Sequence, residues 1–363
     1  MRLFQNAGLY PAYLLRLNQL RAPDWNFLQQ RDAFLRDGFG AAHILLPVVT
    51  GNADAFFANS DDEVMQRQWA RENGLGSTVS LEIILLAQIE HHRAEIFYNA
   101  DPMRYQGPWL RRLPACVRKT VAWRAAPSPG ADFSAYDLVV CNFPGILQRY
   151  RDMGWKTAYF SPSHHPALDK LAVNSHRPID VIFVGGYSRH HIRRAELLRA
   201  VAELQDRYRV EFHLDRSRLT RVSESVVGRM LPFAKYRRPL PIRRISRPGV
   251  FGQELYALLA DAKIVVNGAI DMAEEDRGNL RCFEAMGCGA LMISDRGRYP
   301  KGMEDGVTMV TYGEARDAVA AIEAGLNAPA RMREIAAKGL ELMQIEYSKE
   351  HQWAQFTRLI EGL

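Results

Sequence analysis

The stretch "DRGNLRCFEAMGCGALMISD" at 276–295 holds residue types suited to binding a phosphorylated ligand. Gly278 and Asn279 precede a predicted short helix, whose free backbone N–H groups and dipole attract anions. Arg281 in the first turn adds a forked cationic donor suited to phosphate oxygens. Glu284, one turn later, is placed to accept hydrogen bonds from hydroxyls beside that phosphate. The pattern indicates a nucleotide-sugar site.

A glycine turn upstream, in "DVIFVGGYSRHHIRRAELL" at 180–198, is a second candidate for phosphate contact. Gly185 and Gly186 follow a predicted strand, and Arg189 opens the predicted helix after it. A tight strand-to-helix turn would use the same glycines. The turn lacks the third glycine of the dinucleotide fingerprint. Asp215, at the end of the next predicted strand, keeps an NAD-dependent oxidoreductase open as an alternative.

Other ionisable residues are weaker candidates for chemistry. His164 and His165 follow a predicted strand end in the segment between the two halves, and we expect a catalytic base or a sugar contact there. Arg193 and Arg194 fit the pattern of solvated helix charges. No histidine pair stands at metal-ligand spacing with carboxylates, and the four cysteines form no Cys-x-x-Cys pair, so no metal site is expected.

The elements that must position these residues alternate between short apolar runs and longer amphipathic stretches, which is typical of α/β units around parallel sheets. Predicted helices cover 61–73, with Ser60 as the cap, and 78–92. Predicted strands lie at residues 2–5, 42–47, 94–98, 117–123, 137–141 and 157–160 in the first half, and at 180–186, 208–214, 262–268, 290–295 and 307–312 in the second.

A proline-rich break at 161–180 separates the two halves and predicts two domains. We place an N-terminal domain at 1–165 and a C-terminal domain at 166–346, with the last helix, 347–363, crossing back to the first. Ligands of such sheets bind outside the carboxyl ends of the strands, so two facing domains would form a cleft. The first-domain loops predicted to receive a substrate there are 8–10, 99–101, 142–144 and 161–165.

The stretch "NLRCFEAMGCGALMISD" at 279–295 resembles the C-terminal donor motif of GT-B glycosyltransferases, in particular the family 1/4-like branch that includes CgeB-like proteins. Many relatives carry two glutamates separated by seven residues at this motif. Here the second is Glu284, and the first position holds the shorter acid Asp276. The resemblance extends over residues 178–363, whereas the first half is similar only in its α/β pattern.

The resemblance implies two Rossmann-like domains and a metal-independent enzyme without a cofactor. That enzyme would move a sugar from a nucleotide-diphosphate donor to an unidentified acceptor, in surface glycan or glycoconjugate synthesis. Backbone dipoles and basic side chains would stabilise the leaving diphosphate. The expected donor-binding residues are Gly185, Gly186, Arg189, Asp276, Asn279, Arg281 and Glu284.

The composition and net charge of the chain indicate which classes of binding partner to expect. The chain has 363 residues, of which 47% are hydrophobic and 24% charged, which is the profile of a folded soluble protein. A net charge of +6 and a pI near 9.1 favour anionic partners. The arginine-rich segment 215–249, with Arg237, Arg238, Arg243 and Arg244, predicts peripheral contact with an anionic membrane. Nucleic acid is not expected, because aromatic residues are sparse in that segment.

The N-terminus lacks the pattern of a signal peptide, and no apolar run reaches the length of a spanning helix, so we expect a cytoplasmic protein at the inner membrane surface. Alternatives to a glycosyltransferase remain open at this stage. One is a nucleotide-sugar epimerase of GT-B architecture, and another is a non-catalytic nucleotide-sugar-binding protein.

Overall fold

The computed structural model describes residues 1–187, 191–215, 218–225, 237–268 and 274–363. The chain forms two compact units: Met1–Ser163 with Lys349–Leu363, and His164–Ser348. Each unit is built around one six-stranded sheet, and every strand pair in both sheets is parallel. The α/β class predicted from the alternating pattern is confirmed.

The strand order is β2-β1-β3-β4-β5-β6 in the first sheet and β12-β11-β10-β7-β8-β9 in the second. The strands of the first unit are β1 (Leu3–Asn6), β2 (Ala55–Ala58), β3 (Ile96–Asn99), β4 (Lys119–Trp123), β5 (Leu138–Cys141) and β6 (Thr157–Tyr159). Those of the second are β7 (Ile179–Gly186), β8 (Val210–Asp215), β9 (Ser246–Arg247), β10 (Ala262–Val266), β11 (Leu291–Asp295) and β12 (Val310–Tyr312). Central strands such as β5 are buried along their whole length, as expected when helices cover both faces.

The helices are α1 (Leu14–Leu20), α2 (Phe27–Asp37), α3 (Leu46–Val49), α4 (Glu63–Glu72), α5 (Leu81–His92), α6 (Gly107–Leu110), α7 (Pro144–Asp152), α8 (Asp169–Ala172), α9 (Ile192–Ala202), α10 (Arg218–Glu224), α11 (Leu240–Ile245), α12 (Gly252–Ala260), α13 (Leu280–Gly287), α14 (Ala315–Asn327), α15 (Pro329–Ile345) and α16 (Lys349–Glu361). Short 3₁₀ segments occupy Ala41–His43, Pro166–Leu168 and Glu203–Asp206. Within the described part of the chain, no helix combines the length and the apolar character needed to cross a bilayer.

Polar caps explain where two helices of the first unit begin. Ser80 caps α5 and accepts a hydrogen bond from Ile83 N, as its type predicts. The predicted cap of α4, Ser60, is wrong by two positions. Asp62 is the N-cap instead and accepts from Met65 N, so the helix starts at Glu63.

The prediction of a strand at 42–47 is wrong. The segment forms the 3₁₀ turn Ala41–His43 and the start of α3, where Pro47 fits because the first helical turn needs no N–H donor. The side chain of Gln5 replaces ladder pairing here: its Nε2 donates to His43 O, and its Oε1 accepts from Leu45 N. β1 pairs with β3 on one side and with β2 on the other, and β2, "AFFA", was not predicted from the sequence.

Helix α16 belongs to the first unit, although it follows the second in sequence. Its Phe356 packs against Tyr98 and Phe160 in the core of that unit. Lys349 is fully buried, and its Nζ donates to the carbonyls of Ala41 and Ile44. Burial lowers the pKa of Lys349 to about 7, because removing water destabilises the ammonium form.

Candidate functional site

Helix α13 begins beyond the carboxyl end of β10, at the edge where ligands of parallel sheets bind. Gly278, just before it, has a φ of 117°, which residues with a side chain rarely adopt. Asn279 is the N-cap and is extended, but its side chain makes no cap hydrogen bond to the helix. Asn279 therefore supplies no side-chain cap to the first-turn N–H groups.

Arg281 and Glu284 form an ion pair on the first turns of α13. Arg281 Nη1 donates to Glu284 Oε2 at 2.7 Å, and the two side chains are only 15% and 10% exposed. Arg281 Nε is also buried and has no hydrogen-bond partner among the described residues. Because Cys282, Phe283, Ala285 and Met286 lie in the core, the helix holds this pair rigidly at the sheet edge. A partly satisfied guanidinium at a helix N-terminus can bind an anion.

Asn279 is tied to the ends of two strands. Its amide exchanges hydrogen bonds with that of Asn267, at 3.0 and 3.2 Å, directly after β10. Asn267 also donates to Ser294 Oγ in β11 at 3.0 Å. Sequence analysis singled out Asn279 as a ligand contact, whereas its side chain in the structure anchors the helix start. Asn267 was missed, and its only signal was an amide at the end of an apolar strand.

Asp276 is 2% exposed and lies in an ion pair with Arg298, whose Nε donates to Asp276 Oδ1 at 2.6 Å. The neighbouring Arg277 pairs with Asp295 at the end of β11, also at 2.6 Å. The predicted sugar contact Asp276 therefore lies close to α13, as its place in the motif requires, but its carboxylate is engaged by a protein cation.

Gly185 and Gly186 end β7 while still paired with β8, opposite Leu214 and Asp215. A Cβ added at Gly186 would meet nothing within 4 Å, whereas one at Gly185 would lie 3.3 Å from the Phe183 ring. Among the described residues, the side of Gly186 that a Cβ would occupy is therefore open, at the same edge as α13. The predicted phosphate contact Arg189 lies outside the described residues.

Arg194 was interpreted from the sequence as a solvated helix charge, and that interpretation is wrong. From α9 its Nε donates to Gly268 O at 3.1 Å, its Nη1 donates to Gly186 O at 3.5 Å, and its guanidinium lies over the Phe183 ring. Arg194 thus joins the carboxyl ends of β7 and β10 and places a positive charge beside the glycine turn.

The predicted catalytic residues His164 and His165 occupy different environments. His164 is 4% exposed, its Nε2 lies 2.8 Å from Asp169 Oδ1, and its ring packs against Gly287 at the end of α13. His165 Nδ1 accepts a hydrogen bond from Ala167 N at the following 3₁₀ turn. This placement favours a packing role for His164 over the expected role as a base. No cluster of metal-ligating side chains occurs within the described ranges.

The first unit gathers carboxylates at the carboxyl edge of its own sheet. Asp61 follows β2, Asp101 follows β3, and Arg104 contacts both, with Nε 3.0 Å from Asp101 and Nη2 3.4 Å from Asp61. Leu9 N, after β1, donates to both Asp61 oxygens at 3.0 and 3.1 Å. The predicted loops 8–10 and 99–101 therefore meet, whereas Asp61 was missed.

Burial raises the pKa of both carboxyl groups, and the charge of Asp101 raises that of Asp61 further. The side chains of Asp61 and Asp101 keep 15% and 20% exposure, so both remain accessible to a ligand. Beneath them Asn6 donates to Asn99 at 2.8 Å, and Asp101 N donates to the same Asn99 oxygen at 2.9 Å. This buried network fixes the loop that carries Asp101.

The arginine-rich segment is only partly a surface. Arg238 is 4% exposed and forms a two-pronged ion pair with Glu224, with both N–O distances at 2.7 Å. The expectation of four surface arginines is therefore wrong at Arg238. Arg237 Nε donates to Ser223 O, so this stretch joins the end of α10 to the approach to α11.

Comparison with known proteins shows a common fold and a match to a family of glycosyltransferase-like domains. Residues 190–358 match a family model described as "Glycosyl transferase-like". HepE of Anabaena, solved with UDP and glucose, matches 100% of both chains with a TM-score of 0.61 and 13% identity. Sucrose-phosphate synthase from Thermosynechococcus elongatus matches 99% of this chain and 98% of its own, with a TM-score of 0.53 and 14% identity.

A UDP-forming trehalose-phosphate synthase from Burkholderia xenovorans matches 98% of each chain, with a TM-score of 0.54 and 11% identity. No curated protein matches the sequence at a significant level. The predicted GT-B fold is therefore confirmed for the chain as a whole, and its second unit carries a glycosyltransferase-like domain.

Proposed function

We propose that this chain, a glycosyltransferase with the GT-B fold, uses a UDP-sugar as donor and binds it at α13 of the second unit. The observation that carries the proposal is the Arg281–Glu284 pair on the first turns of a helix whose N-cap residue, Asn279, makes no side-chain cap hydrogen bond. In the proposed complex Arg281 and the helix N-terminus hold the diphosphate, and Glu284 accepts hydrogen bonds from sugar or ribose hydroxyls.

The arrangement fits the charge change of sugar transfer. When the bond between the sugar and the diphosphate breaks, negative charge grows on the leaving phosphate oxygens. A helix dipole and a fixed guanidinium stabilise that charge without moving during the reaction. The open backbone at Gly186 and the charge of Arg194 extend the same edge towards β7. The proposed diphosphate site therefore needs no metal ion.

The choice of UDP rests on the relatives of similar fold. HepE was solved with UDP and with UDP-glucose, and the Burkholderia synthase is described as UDP-forming. The motif at 276–295 supports the finer assignment to the family 1/4-like, CgeB-like branch, and a place in surface glycan or glycoconjugate synthesis follows from that assignment.

We place the acceptor at the carboxyl edge of the first sheet. Asp61 and Asp101 offer carboxylate oxygens that can accept hydrogen bonds from acceptor hydroxyls, and their raised pKa suits proton acceptance from a hydroxyl. Arg104 holds the two carboxylates together without covering them.

Nucleotide binding tests the proposal directly. UDP should raise the melting temperature in the presence of EDTA. At a UDP concentration one hundred times its Kd, binding should add about 2.7 kcal/mol to the free energy of unfolding. GDP or TDP at the same concentration should raise the melting temperature less. Arg281→Ala and Glu284→Gln should each leave the melting temperature of the free protein within a few degrees. Arg281→Ala should lower the affinity for UDP by roughly tenfold or more, because a charge-assisted hydrogen bond is lost.

Arg333→Ala is the matched control, since it removes an exposed arginine of the same unit, and it should leave UDP affinity unchanged. Stabilisation by NAD alone would identify an oxidoreductase instead. Conversion of UDP-glucose to a second nucleotide sugar would identify an epimerase. Tight UDP binding without transfer of the sugar to any member of an acceptor panel would identify a non-catalytic nucleotide-sugar-binding protein.

We also propose that α10 and α11 contact an anionic membrane. Leu219 and Val222 on α10 are 48% and 47% exposed, and Leu240 on α11 is 54% exposed. Arg221 and Arg244 are exposed on the same two helices. Exposed aliphatic side chains among arginines are suited to a surface of acidic lipids.

Glu substitutions at Arg221, Arg243 and Arg244 should reduce sedimentation with vesicles of mixed phosphatidylserine and phosphatidylcholine. The free energy of membrane binding should weaken by about 1 kcal/mol for each arginine lost. Arg238 is left intact because its ion pair is buried. The same change at the exposed Arg316, Arg331 and Arg333 alters net charge equally and should have little effect. Equal losses in both triple variants would contradict a localised membrane contact.

A further inference from the structure

Two loops beside α13 lie against each other. Arg277 N donates to Arg298 O at 2.9 Å, and Arg298 N donates to Glu275 O at 2.7 Å. Gly297 allows this approach, because a Cβ there would lie 2.5 Å from Glu275 O. The loop that enters α13 is therefore paired with the loop that leaves β11.

Two crossed ion pairs fasten these loops: Asp276 with Arg298, and Arg277 with Asp295. We call these four residues the double ion pair. Asp276 and Arg277 lie on the loop entering α13. Their partners are Arg298, on the loop after β11, and Asp295, the last residue of β11. The side chains of Asp276 and Arg277 are only 1% and 10% exposed, so solvent screens their ion pairs less than it would at the surface.

The double ion pair immediately precedes the two residues that start the helix. Gly278 turns the chain with its positive φ, and Asn279 is tied to Asn267 at the end of β10. The position of the first helical N–H groups is therefore set by contacts to both neighbouring strands, β10 and β11.

We propose that the double ion pair positions the N-terminus of α13 for the donor diphosphate, and that Asp276 is a positioning residue that does not contact the sugar. This inference rests on the proposed donor site. The N–H groups and Arg281 gain from a phosphate only at hydrogen-bonding distance, so a small displacement of the helix start weakens every such contact together.

Asp276→Glu separates this role from a sugar contact. Because Asp276 is buried against Arg298, one added methylene must displace the entering loop, although the charge is kept. Affinity for UDP and for UDP-glucose should then fall by the same factor, about threefold to tenfold by calorimetry. A change for UDP-glucose with no change for UDP would show that Asp276 contacts the sugar and would overturn the proposal.

Arg298→Ala tests the partner, and Arg296→Ala is its matched control. Both arginines are exposed on the loop after β11, but Arg296 makes no ion pair within the part of the chain that the structure describes. Arg298→Ala should weaken UDP by about threefold to tenfold, Arg298→Lys by less, and Arg296→Ala by less than about twofold. Equal weakening in both alanine variants would indicate a long-range charge effect and contradict positioning.

The outcomes also distinguish this inference from the donor site on which it rests. If the wild-type protein binds no UDP, both are overturned. If UDP binds and Arg281→Ala weakens it, but Asp276→Glu and Arg298→Ala leave affinity unchanged, only the positioning role is lost. If Asp276→Glu fails to fold, the UDP affinity of Arg298→Ala decides whether the double ion pair has a positioning role. We expect Arg298→Ala to fold, because the Arg298 side chain is 59% exposed and its removal leaves no core cavity.

Discussion

The two sheets of this chain have the same number of strands, and the strands of each are parallel, yet their carboxyl edges differ in chemistry. The edge of the second sheet carries the N-terminus of α13, Arg281 and Arg194, which favour an anion. The edge of the first sheet carries Asp61 and Asp101, two carboxylates with raised pKa joined by Arg104.

This difference shows that the fold supplies the location of a site and a few side chains supply its chemistry. In both units the strand ends converge, so that short loops from neighbouring strands meet. A helix start and guanidinium groups suit a leaving diphosphate, whereas half-buried carboxylates suit a hydroxyl that must give up a proton. Variants that affect one edge and spare the other test the comparison.

The largest expected effect comes from Asp61→Asn. If the first edge binds the acceptor and accepts its proton, kcat for sugar transfer should fall by about a hundredfold or more. UDP affinity should stay within a factor of two, because the donor edge is untouched. Steady-state kinetics with UDP-glucose and calorimetry with UDP measure the two quantities.

The pH dependence sharpens the same test. A raised pKa means that Asp61 takes up its proton at a higher pH than an ordinary aspartate, whose pKa is about 3.9. Transfer by the wild type should therefore fall on acidification while the pH is still above about 4, and Asp61→Asn should lack that dependence. Loss of UDP binding in Asp61→Asn would instead assign Asp61 to the donor.

The next largest expected effect is that of Lys349 on the pH dependence of the free energy of unfolding. Its pKa is about 7 in the folded chain against 10.5 ordinarily, so between these values the unfolded chain binds more protons. The free energy of unfolding should therefore rise with pH from about 7 to about 10, by at most about 1.4 kcal/mol per pH unit, relative to Lys349→Met.

Urea unfolding of the two proteins across this range gives the difference. His43, beside Lys349, has a pKa lowered to about 3, so it stays neutral throughout and does not contribute. A wild-type curve parallel to that of Lys349→Met would show that the amine is charged in the fold.

The smallest expected effect concerns His164, predicted from the sequence as a base and found in the core of the second unit. His164→Ala should lower the free energy of unfolding by about 1 to 3 kcal/mol, because the ring packs against Gly287 and reaches Asp169. His165→Ala, at a more exposed neighbour, should cost less than about 0.5 kcal/mol. A hundredfold loss of kcat in His164→Ala at unchanged stability would restore the catalytic role.

Much of the architecture was predictable because hydrophobic periodicity, and the residues that begin and end helices and strands, are local features of the sequence. The α/β class and five of the six strands of the first sheet follow from apolar runs separated by polar helices. The failures have local causes too. Residues 42–47 are apolar enough for a strand, but the side chain of Gln5 and the position of Pro47 favour helical turns.

The site divides in the same way. The sequence by itself determined the nature of α13, because glycine, an N-cap amide, an arginine and a glutamate at these spacings can be recognised within about two helical turns. Only the tertiary structure decided that Asp276 is engaged by Arg298, that Arg194 joins two strand ends, and that Asp61 meets Asp101. Each of these partners is distant in sequence. The ends of parallel strands bring the partners together, and such a meeting of strand ends leaves no periodic signal in the sequence.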